Sequence, residues 1–79
     1  MIVVSVKSLK KTYFDGKAES ITSLNDTGEF DILSEHANFI SLIRNYIVID
    51  RGLKSEQKFM ISNGILRVKE NKVEVFLEV

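Results

Sequence analysis

The sequence predicts an all-β fold, a small two-sheet β-sandwich or flattened barrel, on three observations. Apolar and polar residues alternate in several short runs, the period of a strand with one buried face. Turn-forming residues punctuate these runs at regular spacing, and only one segment has helix-like periodicity. The 79 residues include no proline and no cysteine, so no disulfide or thiolate metal site holds the fold, and the chain reads as a protein of a reducing compartment.

The elements follow in order. Ile2, Val4 and Val6 alternate with Val3, Ser5 and Lys7, which makes the first strand. In Tyr13-Phe14-Asp15-Gly16-Lys17 the Asp-Gly pair is expected to form a tight hairpin turn, with residues 18–24 as the return strand. Ala18 and Ile21 are three apart, so pointing both inward requires a break such as a β-bulge. Asn25-Asp26-Thr27-Gly28 is a second turn, and Phe30, Ile32 and Leu33 form the next strand. Segment 37–43 fits both periods and is assigned to a strand. Tyr46-Ile47-Val48-Ile49 lacks polar alternation and is expected as a central strand covered on both faces. After the polar loop 51–56, Phe59 and Ile61 alternate with Lys58, Met60 and Ser62. Asn63-Gly64 is either a hairpin turn or a place where another backbone comes close. Leu66 and Val68 lead through Glu70-Asn71-Lys72 to Val73, Val75, Leu77 and Val79. Phe76 lies on the opposite face between Glu74 and Glu78, where coverage by another strand is expected ahead of exposure to a partner.

A chain of this length has room for one domain, 1–79, burying about 60–65% of the surface its unfolded form exposes. With 44% hydrophobic residues a core is affordable, and the usual per-residue range gives roughly 4–12 kcal/mol of stability. Eleven basic residues balance eleven acidic ones, which leaves no cationic excess for a phosphate backbone and argues against nucleic acid. Lys7, Lys10 and Lys11 read as a solvated strand end. No apolar run approaches the ~20 residues of a membrane span. Residues 1–6 have no preceding basic region and read as a strand rather than a signal peptide, so a soluble domain is expected.

The stretch Gly28-Glu29-Phe30-Asp31-Ile32-Leu33-Ser34-Glu35-His36-Ala37 gathers the chain's one histidine with three carboxylates behind a strand. Such a loop on a stiff scaffold is a natural contact surface. A catalytic reading of Ser34 and His36 fails on geometry, since an exposed turn offers neither an oxyanion hole nor a dry pocket. One histidine without cysteine makes a poor transition-metal site. The glycines at 16, 28, 52 and 64 form no phosphate cradle. No enzyme activity, metal or cofactor is therefore expected. On the residues alone, His36 reads as a surface imidazole beside a carboxylate.

Three pieces in register carry a resemblance. They are Phe14-Asp15-Gly16, then Gly28-Glu29-Phe30-Asp31-Ile32-Leu33-Ser34-Glu35-His36-Ala37-Asn38-Phe39-Ile40, then Ser62-Asn63-Gly64-Ile65-Leu66-Arg67-Val68 with Asn71-Lys72-Val73-Glu74-Val75. Nearly end to end, the chain resembles the N-terminal β-sandwich domain of the F-type ATP synthase epsilon subunit. That family shows Phe-x-Gly, Gly-Glu-Phe-Gly-Ile-Leu-Pro-Gly-His-Ala-Pro-Leu-Leu, and Ser-Gly-Gly-Phe-Leu-Glu-Val with Asn-x-Val-Thr-Val.

The resemblance implies a non-catalytic central-stalk subunit that couples the gamma subunit to the membrane c ring. It implies that Glu29, Asp31 and His36 belong to the loop facing the ring and that a more apolar face bears on gamma. It also implies a peripheral position at the cytoplasmic face of the inner membrane, without direct insertion. An unrelated β-sandwich adaptor between proteins is the alternative. Asp31 stands for a family glycine, Ser34-Glu35 for Pro-Gly, Asn38 for a proline and Asn63 for a glycine. The end loop thereby loses rigid turn residues and gains negative charge. The family usually continues into a C-terminal helical hairpin, for which no residues follow Val79; a short subunit or one domain of a longer chain would both look this way.

Overall fold

The computed structural model describes residues 1–34 and 38–78. Seven strands follow one another: β1 (Ile2–Lys7), β2 (Thr12–Ala18), β3 (Ser20–Asn25), β4 (Gly28–Leu33), β5 (Phe39–Ile49), β6 (Gln57–Lys69) and β7 (Lys72–Glu78). They form one hydrogen-bonded sheet in the order β2-β1-β7-β6-β5-β3-β4. Every neighbouring pair is antiparallel except β1 with β7.

This sheet folds over itself because two of its strands are too long to lie straight. The 13 residues of β6 would extend about 40 Å at the usual rise, whereas the molecule measures 28 × 25 × 21 Å. The bend coincides with a bulge: Arg44 lies opposite Asn63 but Asn45 lies opposite Ile61, so Ser62 is the extra residue. Asn45 takes up part of the turn with φ 74°. The second half of β6 pairs with β7 and the first half of β5, and the first half of β6 pairs with the rest of β5 alone. The result is a sandwich with β2, β1 and β7 in one layer and β4 and β3 in the other. Between the layers lies a core of aliphatic side chains, including Ile2, Val4, Val6, Leu66, Val73 and Val75 from the first and Ile21, Ile32, Ile47 and Ile49 from the second. Phe30 and Phe39 close one margin edge to face at 5.6 Å, and Tyr13 and Phe59 close another at 6.2 Å.

The expected strand one, the turn at residues 25–28 and the final hairpin are all present. In the hairpin Lys69 faces Lys72, and Glu70 and Asn71 have φ of 50° and 61°, as a two-residue type I′ turn requires. Ile47, Val48 and Ile49 are buried, as expected of a strand covered on both faces.

Four expectations need correction. Asp15-Gly16 is not a turn: the two residues lie inside β2, opposite Ser5 and Val4. The chain reverses instead at residues 8–11, where the Ser8 N–H donates to the Lys11 carbonyl at 2.8 Å. The break between Ala18 and Ile21 is the corner at Glu19 separating β2 from β3, not a bulge within one strand. The two strands expected at 37–43 and 46–49 are one: Phe39 to Ile43 and Tyr46-Ile47-Val48-Ile49 are parts of β5, joined across the bulge, and residue 37 lies outside the described residues. Phe76 is 45% exposed rather than covered, with the Lys7 ammonium 5.3 Å from its ring centroid. Asn63-Gly64 takes the second of its two readings: a Cβ on Gly64 would sit 2.9 Å from the Phe76 carbonyl oxygen.

The loop after β5 is tied to the β2–β3 corner through Asp50. Its Oδ1 accepts from the Glu19 N–H at 2.6 Å and from the Ser20 N–H at 3.4 Å, and its Oδ2 accepts from the Ser55 hydroxyl at 2.7 Å. Burial pushes this carboxyl up, yet the bonds from Ser55, Glu19 and Ser20 outweigh burial and hold it below the usual aspartate range.

Candidate interaction surfaces

The turn at Asp26 and Thr27 launches β4 so that Phe30 and Ile32 point to the core and Glu29, Asp31 and Leu33 to the outside. Glu29 is held from two other elements. The Tyr46 hydroxyl of β5 donates to Oε2 at 2.5 Å, and Arg51 Nη1, from the loop after β5, donates to Oε1 at 2.7 Å. The Arg51 bond first, and the Tyr46 bond next, lower the Glu29 pKa. The same bond raises the pKa of Tyr46, whose phenolate would face a carboxylate. The Lys58 ammonium lies 5.3 Å from the Tyr46 ring centroid. Asp31 accepts a 2.5 Å bond from the buried Thr22 hydroxyl across the β3–β4 ladder. The outer face of this layer therefore holds a fixed polar cluster with acids and bases already oriented, beside the exposed Leu33 and Met60.

Glu29 and Asp31 come together on one face, but as residues of β4 rather than of the loop beyond it. His36 lies outside the described residues. Ser34, just past β4, accepts a 2.8 Å bond from the Met1 ammonium and is about 17 Å along the strand from Glu29 at the usual rise. Tyr46, Arg51 and Lys58 escaped the sequence reading. Nothing local marks them; they reach Glu29 only because β5 pairs with β3 and β3 with β4.

The outer face of the other layer is apolar. Leu42 of β5 lies opposite Ile65 of β6, Ile65 opposite Phe76 of β7, and Phe76 opposite Lys7 of β1. Ile40, two residues before Leu42, extends the row, and Ile40 and Leu42 are 69% and 71% exposed. The row behind carries the Arg67 and Glu74 ion pair at 3.1 Å, which rims the stripe with charge. A contiguous apolar stripe with a charged rim marks a protein contact. Only Phe76 of this set stood out in the sequence.

Among the described residues no group of three or more His, Cys, Asp or Glu is placed to hold a metal ion, and no helix is long and apolar enough to cross a membrane.

Over residues 1–79 the sequence matches the family described as "ATP synthase, Delta/Epsilon chain, beta-sandwich domain". It is similar to the ATP synthase epsilon chain of Clostridium novyi, at 32% identity over 72 residues, covering 87% of this chain and 53% of that one. To the epsilon chain of Sulfurimonas denitrificans it is 35% identical over 66 residues, covering 82% and 51%. The chain thus spans about half the length of these relatives. In fold it resembles a chain in the Euglena gracilis mitochondrial ATP synthase structure of OSCP, F1 and c-ring, with a TM-score of 0.85 at 15% identity, covering 96% of this chain and 49% of that one. A chain of the Tetrahymena thermophila mitochondrial ATP synthase central stalk and c-ring matches with a TM-score of 0.80 at 19% identity, covering 99% and 63%.

Proposed function

The chain belongs to the ATP synthase delta/epsilon β-sandwich family, and on that premise we propose that it is a non-catalytic rotor domain coupling the gamma subunit of a rotary F-type ATP synthase to the membrane c ring. The observation that carries this reading is the pair of unlike outer faces on one sandwich. The stripe of Ile40, Leu42, Ile65 and Phe76 suits a permanent, largely apolar contact, and we assign it to gamma. The polar face with Glu29 and Asp31, together with His36, suits a ring loop bearing basic and amide groups, where electrostatics sets orientation more than affinity. Because Arg51 already neutralises Glu29, a ring cation must share that carboxylate, and Asp31 supplies the second negative group. The domain would sit peripherally at the cytoplasmic face of the inner membrane, held through the ring and not inserted.

Binding to a gamma subunit from the same source tests the reading. Leu42→Asp combined with Phe76→Ser should weaken that binding by at least about 30-fold, the loss expected when a central anchor is removed, with circular dichroism unchanged. Glu29→Ala and His36→Ala should loosen attachment to the c ring and spare gamma binding. A folded parent chain that binds no gamma subunit, or a stripe variant that binds as well as the parent, would refute the proposal.

A further inference from the structure

Strand pairing sets three lysines in one row on the outer face of the first layer. Lys17 of β2 lies opposite Val3 of β1, Val3 opposite Lys72 of β7, and Lys72 opposite Lys69 of β6. Cross-strand partners share a face, and Val4, next to Val3, points to the core, so all four side chains point outward. The three lysines are exposed, and Val3 is 45% exposed. At the usual strand spacing the cations span about 14 Å. Among the described residues none of the three is in an ion pair. The acids of this face stand one row further back, as Asp15 opposite Ser5 and as Glu74 already paired with Arg67.

Two features of the row point to an anionic surface. Lys69 and Lys72 face each other directly, an arrangement of like charges that costs the free domain stability and that an anion between them relieves. The row also contains no arginine. A single carboxylate partner is best gripped by arginine's planar fork, whereas lysine is a point charge on a flexible stem that follows diffuse negative charge. Val3 adds an apolar tip between the cations, as at the boundary of headgroups and acyl chains.

The row lies at the end of the sandwich that carries the segment with His36. Ser34 is bonded to Met1, two residues from Val3, and Asn38 precedes Phe39, whose partner Val68 adjoins Lys69.

We propose that Lys17, Lys69 and Lys72 dock this domain on anionic phospholipid headgroups. The choice of lipid over an acidic protein segment rests on the rotor reading. The ring loop that suits Glu29 and Asp31 is basic and has the wrong sign for this row, while the bilayer around the ring supplies the anions. Three lysines make a weak contact alone, and attachment to the ring raises its effective concentration.

Co-sedimentation of the full chain with vesicles tests the proposal without gamma or ring, so it can fail while the rotor reading stands. At about 10 mM salt, where the screening length is about 30 Å, the chain should bind vesicles of phosphatidylglycerol and phosphatidylcholine but not of phosphatidylcholine alone. Each lysine near such a surface contributes about fivefold, so Lys69→Gln with Lys72→Gln should weaken binding about 25-fold. Lys10→Gln with Lys11→Gln removes the same charge beyond the other end of β1 and should bind as the parent does. Circular dichroism should match the parent in both variants. No binding to the anionic vesicles, equal binding to the neutral ones, or equal losses in the two variants would overturn the proposal. Tighter binding to soluble polyglutamate than to vesicles, lost in the Lys69 and Lys72 variant, would overturn it in favour of an acidic protein segment.

Discussion

Replacing Asp50 by alanine should cost this domain a large share of its stability. Asp50 is 7% exposed, and its carboxylate is the acceptor for two backbone N–H groups and one hydroxyl. Hydrogen bonds to a charged group contribute about 1.5–3 kcal/mol each. The 2.6 Å bond from Glu19 counts in full, the 3.4 Å bond from Ser20 counts little, and the bond from the exposed Ser55 is discounted because water can replace it. Alanine must also adopt the φ of 55° seen at this position, adding about 1 kcal/mol. The total is about 3–4 kcal/mol, which for a domain of this size lowers Tm by about 12–32 °C.

Asparagine at the same position separates charge from geometry. It tolerates the left-handed backbone, its oxygen still accepts from Glu19 and Ser20, and its amide donates to the Ser55 hydroxyl. Only the charge is lost, at about 1 kcal/mol. The Asp50 pKa is lowered in the folded state, so its contribution is fully present above the unfolded aspartate value near 3.9 and is lost as pH falls through the folded value. The gap between parent and Asp50→Asn should therefore close on acidification below about pH 4. Thermal and urea denaturation followed by circular dichroism measure all three proteins. An alanine variant within about 1 kcal/mol of the parent would refute the tie between the 50–56 loop and the β2–β3 corner, because a single cap is already expected to cost that much.

Gly64→Ala should lower the urea midpoint by the equivalent of about 1–3 kcal/mol, the usual cost of overpacking, since its Cβ meets the Phe76 carbonyl oxygen at 2.9 Å and backbone cannot yield cheaply. Ultraviolet titration of the tyrosines should show the Tyr46 phenol ionising above its ordinary value in the parent and moving down toward it in Glu29→Gln; an unmoved titration would mean the bond to Glu29 does not form.

What the sequence disclosed depended on how local the deciding forces were. The alternation in Ile2, Val4 and Val6 needs only a buried face, and the Glu70-Asn71 reversal needs only two residues that accept positive φ. Asp15-Gly16 has turn chemistry of the same quality, yet Phe14 packs on the core and pairs with Val6, so tertiary packing keeps the segment extended. Segment 37–43 and residues 46–49 read as separate strands, with Arg44 and Asn45 between them; a bulge lets those two polar residues face outward while the ladder continues. Glu29 and Asp31 were recognisable as surface acids. Tyr46 and Arg51 were not recognisable as their partners, being 17 and 22 residues from Glu29 and joined to it only through the sheet order.

That sheet order also bears on how the proposed coupling would transmit force. Leu42 on the apolar face and Tyr46 on the polar face belong to the same strand, β5, and Ile65 and Lys58 likewise both belong to β6. The two faces are thus joined through covalent backbone that passes the bend at Arg44 and Asn45, rather than only through side chains packed in the core. Shear between layers must break the β5–β6 ladder, which runs from Phe39 opposite Val68 to Ile49 opposite Gln57, and its hydrogen bonds must fail together because a one-residue slip turns every core side chain outward. The least secured link in this path is the bulge, where Asn45 stands at φ 74° and Ser62 has no partner on β5; any compliance between a gamma contact and a ring contact should concentrate there.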